Sequence, residues 1–206
     1  MALRFVSKST QGNFWKWFVE HEAELFDFEA DQERIFRQLQ AALHRVHPDL
    51  TFEFGPKDGR REFVISAGGI KSAFPAVVAL AKAAPELPKW QVTAFRPRRE
   101  AVGIVEFQNK RVDPKDVQFS LLDDGRKAGM HLFIPGYRES DKALAQIAYL
   151  MLDEALGEYD VETRLGLIEV LSPETPTDEK RYPLTELPER FDALVAKLEG
   201  KSGKPS

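Results

Sequence analysis

Two stretches of this chain pass through the same order of apolar periods and turns, and that recurrence limits the fold more than any single residue does. In the first, "LTFEF" from Leu50 and "REFVIS" from Arg61 alternate with a period of two around "PKDGR". A helical pattern, "SAFPAVVALAKAAPELP", and a strand, "WQVTAF", follow. In the second, "VQFSLL", "DDGR", "GMHLFIPG", "ESDKALAQIAYLMLDEALG" and "VETRLGLIEVL" come in the same order. Asp58-Gly59-Arg60 and Asp124-Gly125-Arg126 lie 66 residues apart, and Gly69 and Gly136, which close the second strands, lie 67 apart. Asp-Gly supplies positive φ angles at low cost, so each pair of strands reads as a hairpin. Pro75 is tolerated in a first helical turn and Pro85 ends the pattern, placing the first crossing helix at about Ser72 to Ala84.

The chain therefore predicts two ββαβ units, joined through a strand from Val102 to Phe107 in "AVGIVEFQ". Right-handed crossings put both helices on one face of a shared mixed sheet. Residue identity between the units is slight, so what recurs is topology.

The regions outside the units complete an α+β reading. Asn13 is a capping residue for a helix over "FWKWFVEHEAELF", and Asp31 opens a second, "QERIFRQLQAALHRVH", which Pro48 stops. Together they form an N-terminal helical hairpin. Beyond Leu171, four prolines and many charges in "SPETPTDEKRYPLTELPERF" suit an extended strap. A helix from Pro188 to Leu198 follows, with Gly200 as its C′ residue and "KSGKPS" as a disordered tail. The expected organisation is one α+β domain over residues 1–171, followed by the strap and helix over 172–206.

Composition removes several function classes. With no cysteine among 206 residues there is no disulfide framework, thiol nucleophile or Cys-ligated metal, and a reducing cytoplasm is the simplest setting. No segment approaches the roughly 20 apolar residues of a spanning helix, and the N-terminal "MALRFVSKSTQGN" lacks a secretory apolar core. The expectation is a soluble, unexported protein that does not engage membranes. A formal charge of -4 argues against general nucleic-acid binding. Charge is uneven: Lys57 to Lys115 holds twelve Lys and Arg against six acids, a net +6 that leaves -10 for the rest. Such a basic middle either meets an anionic partner or pairs with the chain's own acids.

The combination of "FVISAGG", "AFPAVVALAKAAPELPKW" and "VTAFRPR", over Phe63 to Arg98, resembles an uncharacterised bacterial protein family. Its pattern is a strand ending in Gly, a Phe-Pro helix opening, then Ala-Pro, Trp and Ala-Phe-x-Pro. The resemblance implies a bacterial source and a similar fold, and it transfers no catalytic residue.

Candidate sites are few. Gly68, Gly69, Lys71 and Ser72 stand where a helix N-terminus exposes backbone N–H groups, so a phosphate or carboxylate fits there; a strand-to-helix turn needs the same residues. Neither a P-loop nor a dinucleotide fingerprint is present. Strand alternation in "GMHLFIPG" and "VQFSLL" brings Ser120 and His131 to one sheet face with Gln118, a pair that suits nucleophilic catalysis or simply a polar face. The "EHEAE" stretch lacks the second His of a zincin, and His44 and His47 sit at a fraying helix end, so no metal site is expected.

Arg96, Arg98 and Arg99 follow a strand directly, where a loop presents guanidinium groups to an anion. Trp15 and Trp17 point about 200° apart on a helix, so at least one lies near an edge, where it can anchor a partner. The leading expectation is a noncatalytic protein-interaction module without cofactor, meeting a partner through the aromatic helix or the arginine loop. Second comes a small-anion binder at Gly68 to Ser72, and third a hydrolase using Ser120 and His131. Oligomeric state stays open.

Overall fold

The computed structural model describes residues 9–57 and 59–202, and the chain divides into two compact units, 1–96 and 97–206. The fold is α+β with an N-terminal helical region. Asp58, the first eight residues and residues 203–206 lie outside the described residues; of the tail expected to be disordered, Lys201 and Ser202 instead belong to the last helix.

The first unit opens with α1 (Thr10–Glu20), α2 (Glu22–Phe26) and α3 (Gln32–His44). Ser9, four residues before the expected cap Asn13, is the cap of α1: its Oγ accepts the Gly12 N–H at 3.2 Å, and Asn13 falls inside the helix. The single first helix expected from the sequence breaks at His21, whose Nδ1 turns back to the Trp17 carbonyl at 2.8 Å. Then come β1 (Thr51–Phe54), β2 (Arg61–Ser66), α4 (Phe74–Lys82) and β3 (Trp90–Ala94). The sheet order is β1-β2-β3, with β1 antiparallel and β3 parallel to β2. This is the predicted ββαβ unit.

Its core is aromatic. Phe14, Trp15 and Phe18 of α1 meet Phe63 of β2, and Phe18 also meets Trp90 of β3, with ring centroids 5.0 to 6.3 Å apart. Phe54 joins Phe63 and Trp90 from β1. Such edge-to-face and offset contacts add to area burial, which explains why a three-stranded sheet suffices. Arg61 is buried beneath them, paired with Glu29 and with its guanidinium 4.4 Å from the Phe28 ring.

The second unit begins with a separate hairpin, β4 (Val105–Phe107) and β5 (Lys110–Val112). Val102 to Ile104 are not strand, so the expected junction strand is shorter and pairs only with its own neighbour. After it, β6 (Gln118–Asp124) and β7 (Lys127–Phe133) form the second predicted hairpin, α5 (Lys142–Leu156) and α6 (Glu158–Arg164) cross over, and β8 (Leu165–Leu171) returns parallel to β7. The strap contributes β9 (Tyr182–Pro183), which pairs antiparallel with β6, and leads into α7 (Leu187–Ser202). The order is β8-β7-β6-β9. Gly200, expected just beyond the last helix, lies within it.

Here the core is mainly aliphatic: Met130 and Leu132 of β7 pack with Leu144, Ile147, Met151 and Leu152 of α5 and with Leu187, Phe191 and Val195 of α7. One expectation is corrected. The two ββαβ units do not share a mixed sheet; each closes its own ladder. Each central strand, β2 or β7, already has a neighbour on both sides within its own unit, so neither can pair with the other unit's strands. Sequence periodicity specifies such a strand's neighbours in order but not where a sheet ends.

Candidate functional site

At the first strand-to-helix corner the chain uses its own donors. Gly68 donates its N–H to Ser66 Oγ at 2.9 Å, Ile70 to the Ala67 carbonyl at 3.0 Å, and Ala73 to the Ile70 carbonyl at 2.9 Å. Gly68 and Gly69 hold φ values of +57° and +83°, a conformation that glycine adopts without Cβ strain. Lys71 and Ser72 belong to a 3₁₀ turn, and both are exposed. Of the four candidates, Gly68 bonds its N–H inward, as do the neighbouring Ile70 and Ala73, which is the geometry of a chain reversal.

The arginines of "FRPRR" separate. Arg96 turns into the first unit and bonds Glu53 at 2.5 Å. Arg98 turns into the second, where its guanidinium bonds both oxygens of Asp192 at 2.8 Å, Asp160 at 2.7 Å and the Leu156 carbonyl at 2.8 Å. That contact holds the Asp192 carboxyl below its ordinary range. Arg99 is exposed, with its backbone N–H on the Glu154 carbonyl at 2.8 Å. The basic middle is thus largely matched locally, with Lys57 on Asp27, Lys110 on Asp141 and Arg111 on Glu106 as further pairs.

The tryptophans also divide. Trp15 is 3% exposed and donates Nε1–H to the Leu80 carbonyl at 2.9 Å, so it is a core plug. Trp17 is half-buried and stacks on His21, with centroids 4.6 Å apart. One of the two reaches an edge, as their 200° separation requires.

Ser120 and His131 do come together as cross-strand partners of β6 and β7. Between them stands a residue the sequence reading missed. Glu179, from the strap, accepts the Ser120 hydroxyl and, at 2.8 Å, the His131 Nδ1–H. Glu169 of β8 lies 3.2 Å from His131 Nε2. Chiefly the Ser120 hydroxyl, and then His131, hold the Glu179 carboxyl below its ordinary range. Nucleophilic catalysis needs the serine proton directed at the imidazole, whereas here both groups donate to one carboxylate. Ser120 is also 1% exposed. Arg181 reinforces the arrangement by donating to the Pro173 and Thr175 carbonyls, both at 2.7 Å, while its guanidinium lies 3.9 Å from the Phe133 ring. The cluster clasps the strap onto the outer face of the second sheet.

Two open features remain. In the second unit a cleft of about 500 Å³ is lined by Tyr137, Arg138, Glu139, Glu169, Ser172 and Thr175. It lies at the carboxyl ends of the parallel strands β7 and β8, and Arg138 is exposed and makes none of the described ion pairs. In the first unit a groove of about 690 Å³ runs along β1, lined by Phe28, Phe36, Phe52 and Phe54, with Gln32 and Arg37 among its polar members. Phe36 stands 5.0 Å from Phe52 and 5.8 Å from Phe54, and Phe28 stacks 5.3 Å from Phe54. All four rings are only half-buried.

The signal for the groove was present in "TFEF", where two phenylalanines share a face of a short strand, but edge position cannot be read from alternation. No signal tied Glu179 to His131 across 48 residues of chain. Comparison of the chain with protein-family models, curated proteins and solved structures found no match.

Proposed function

We propose that this protein is a noncatalytic interaction module whose first unit takes a peptide segment of a partner protein in the aromatic groove along β1. The observation that carries this reading is the groove itself: four half-buried phenylalanines beside a strand with which no second neighbour pairs among the described residues. Clustered aromatic surface gives affinity at small entropy cost, because each ring has few rotatable bonds. The inward-bonded corner at Gly68 and the clasped Ser120 leave the anion-loop and hydrolase readings with less support. No described helix is long and apolar enough to cross a membrane. A cysteine-free composition and the resemblance carried by Phe63 to Arg98 favour a bacterial cytoplasm as the setting.

A random 12-residue peptide library displayed on phage, selected on the full chain, tests the proposal. Selected peptides bind the wild type and lose at least tenfold in affinity with Phe36→Ala or Arg37→Glu, the second being an exposed change that spares the core. A library that enriches nothing sensitive to either substitution overturns it.

The second cleft favours a small anion as a further reading, now at the corner holding Arg138. Ligands of α/β sheets gather at the carboxyl ends of parallel strands, where α5 also begins. Titration with acetate and with inorganic phosphate gives heat in the wild type and none in Arg138→Ala; equal heat in both removes this reading.

A further inference from the structure

We infer that the partner segment binds the first unit as an added antiparallel β-strand, with an aromatic residue opposite Phe52, in the manner in which β9 already completes the second unit. The inference rests on the peptide-groove reading above and specifies its partner.

The two hairpins superpose in register. Thr51 pairs with Ser66 as Gln118 pairs with Phe133, and a shift of 67 residues converts one set of partners into the other. Phe52 therefore corresponds to Phe119, Glu53 to Ser120 and Leu50 to Val117. In the second unit the outer side of β6 is occupied: Tyr182 stands opposite Phe119, with ring centroids 5.9 Å apart, and Leu184 donates its N–H to the Val117 carbonyl at 3.1 Å. Pro183, the residue between them, sits in a pair that exchanges no hydrogen bonds, so its missing N–H costs the ladder nothing. The Arg190 guanidinium covers the Tyr182 ring at 3.4 Å.

The outer side of β1 is built to the same plan but carries no strand among the described residues. Gly55 donates its N–H to the Glu62 carbonyl at 2.9 Å, which fixes the alternation of the β1–β2 ladder. Thr51 and Glu53 then direct their main-chain groups to β2, and Phe52 and Phe54 direct theirs away from it. The Leu50 carbonyl, equivalent to that of Val117, receives the Gln40 side-chain amide at 2.6 Å in place of a strand N–H. Gln40 thus closes one end of the edge, and Phe52 and Phe54 present the next donors and acceptors. No Pro, Lys or bulge interrupts "TFEF", and its one charged side chain, Glu53, is paired with Arg96. Arg37, on the groove wall, is paired with Glu33 at 3.1 Å as Arg190 is with Glu186, and its remaining guanidinium N–H groups are the cation offered to an occupant, as Arg190 covers Tyr182. The fitting occupant is an extended segment with side chains alternating toward the groove, one of them aromatic, and with a carboxylate placed for Arg37.

Amide hydrogen exchange of Phe52 and Phe54, followed by NMR on the full chain with a selected phage peptide, tests the inference. Both amides exchange freely alone and slow at least tenfold with peptide, while Thr51 and Glu53 are protected throughout. N-methylation of the peptide at alternate residues weakens binding at least tenfold in one register and not in the other. A peptide that responds to Phe36→Ala but leaves Phe52 and Phe54 exchanging as before overturns strand addition while sparing the groove reading. Protection already present without peptide overturns the inference as well, assigning the edge to a second copy if dilution removes it and to this chain's own residues if dilution does not. If no library peptide responds to groove substitutions, the groove reading itself fails and this inference with it.

Discussion

The two ββαβ units share an order of elements and a hairpin register, yet they treat the same sheet edge in opposite ways. In the second unit β6 is covered by β9, and the strap between Leu171 and Tyr182 is clasped over the sheet by Glu179 and Arg181. In the first, β1 faces an aromatic groove. The difference teaches that an edge strand's fate is set by what chain is left over to cover it. The second unit has a long C-terminal extension, which supplies β9 and α7; the first spends its extension on α1 to α3, which cover a face and leave the outer side of β1 open among the described residues.

The largest effect that separates the units comes from their corresponding phenylalanines. Phe119→Ala is expected to destabilise its unit by about 3–5 kcal/mol, the usual range for emptying a buried aromatic site. Phe52→Ala, half-exposed, is expected to cost about 1 kcal/mol. Urea unfolding monitored by far-UV circular dichroism measures both, and equal costs would break the contrast between a covered edge and an open one.

Arg98→Ala follows, at about 2 kcal/mol, because it strips two carboxylates and a carbonyl of charge-assisted hydrogen bonds. Arg96→Ala, losing the pair with the single carboxylate of Glu53, is expected to cost less, about 1 kcal/mol. The same unfolding measurement ranks them, and the reverse order would refute the separate roles given to two neighbouring arginines.

Glu179→Gln probes the clasp at about 1 kcal/mol. Its pH dependence has a defined sign. The folded-state carboxyl titrates below its ordinary value of 4.5, so its stabilising contribution is complete above that value and fades as pH falls through the lower folded value. Hydrogen exchange of strap amides from pH 7 to pH 3 reports this: loosening in acid is expected in the wild type, whereas Glu179→Gln is looser at neutral pH and changes less. A wild-type strap unmoved by acid would contradict the clasp.

The smallest effects belong to the first corner. Lys71→Ala and Ser72→Ala are each expected to stay within about 0.5 kcal/mol of wild type, since both are exposed and the reversal is held by main-chain bonds and Ser66. Differential scanning fluorimetry with and without phosphate checks this, and a phosphate-dependent shift removed by either change would restore the corner as an anion site.

Much of the fold was legible because it depends on local chemistry. Alternation at Thr51 to Phe54 and Arg61 to Ser66, with glycines at 59 and 125 holding φ of +67° and +79°, specified two hairpins, and the structure supplies their register. The α4 and α5 patterns gave the crossings. Caps were less legible, since Ser9 and Asn13 offer the same chemistry four residues apart and only the packing of Phe14, Trp15 and Phe18 selects the start of α1. For the candidate sites, the sequence placed Ser120 beside His131 but not Glu179 between them, because a carboxylate arriving from a proline-rich strap obeys no period.

Side-chain period, turn residues and composition were enough for the element order, the two hairpins and the absence of thiol chemistry. The long-range packing settled that the sheets stay separate, that Trp15 is a plug, that Arg96 and Arg98 part company, and that among the described residues β6 is covered where β1 is not. Those outcomes depend on which distant segment reaches a strand's second side first, a competition among contacts far apart in sequence that no local pattern encodes.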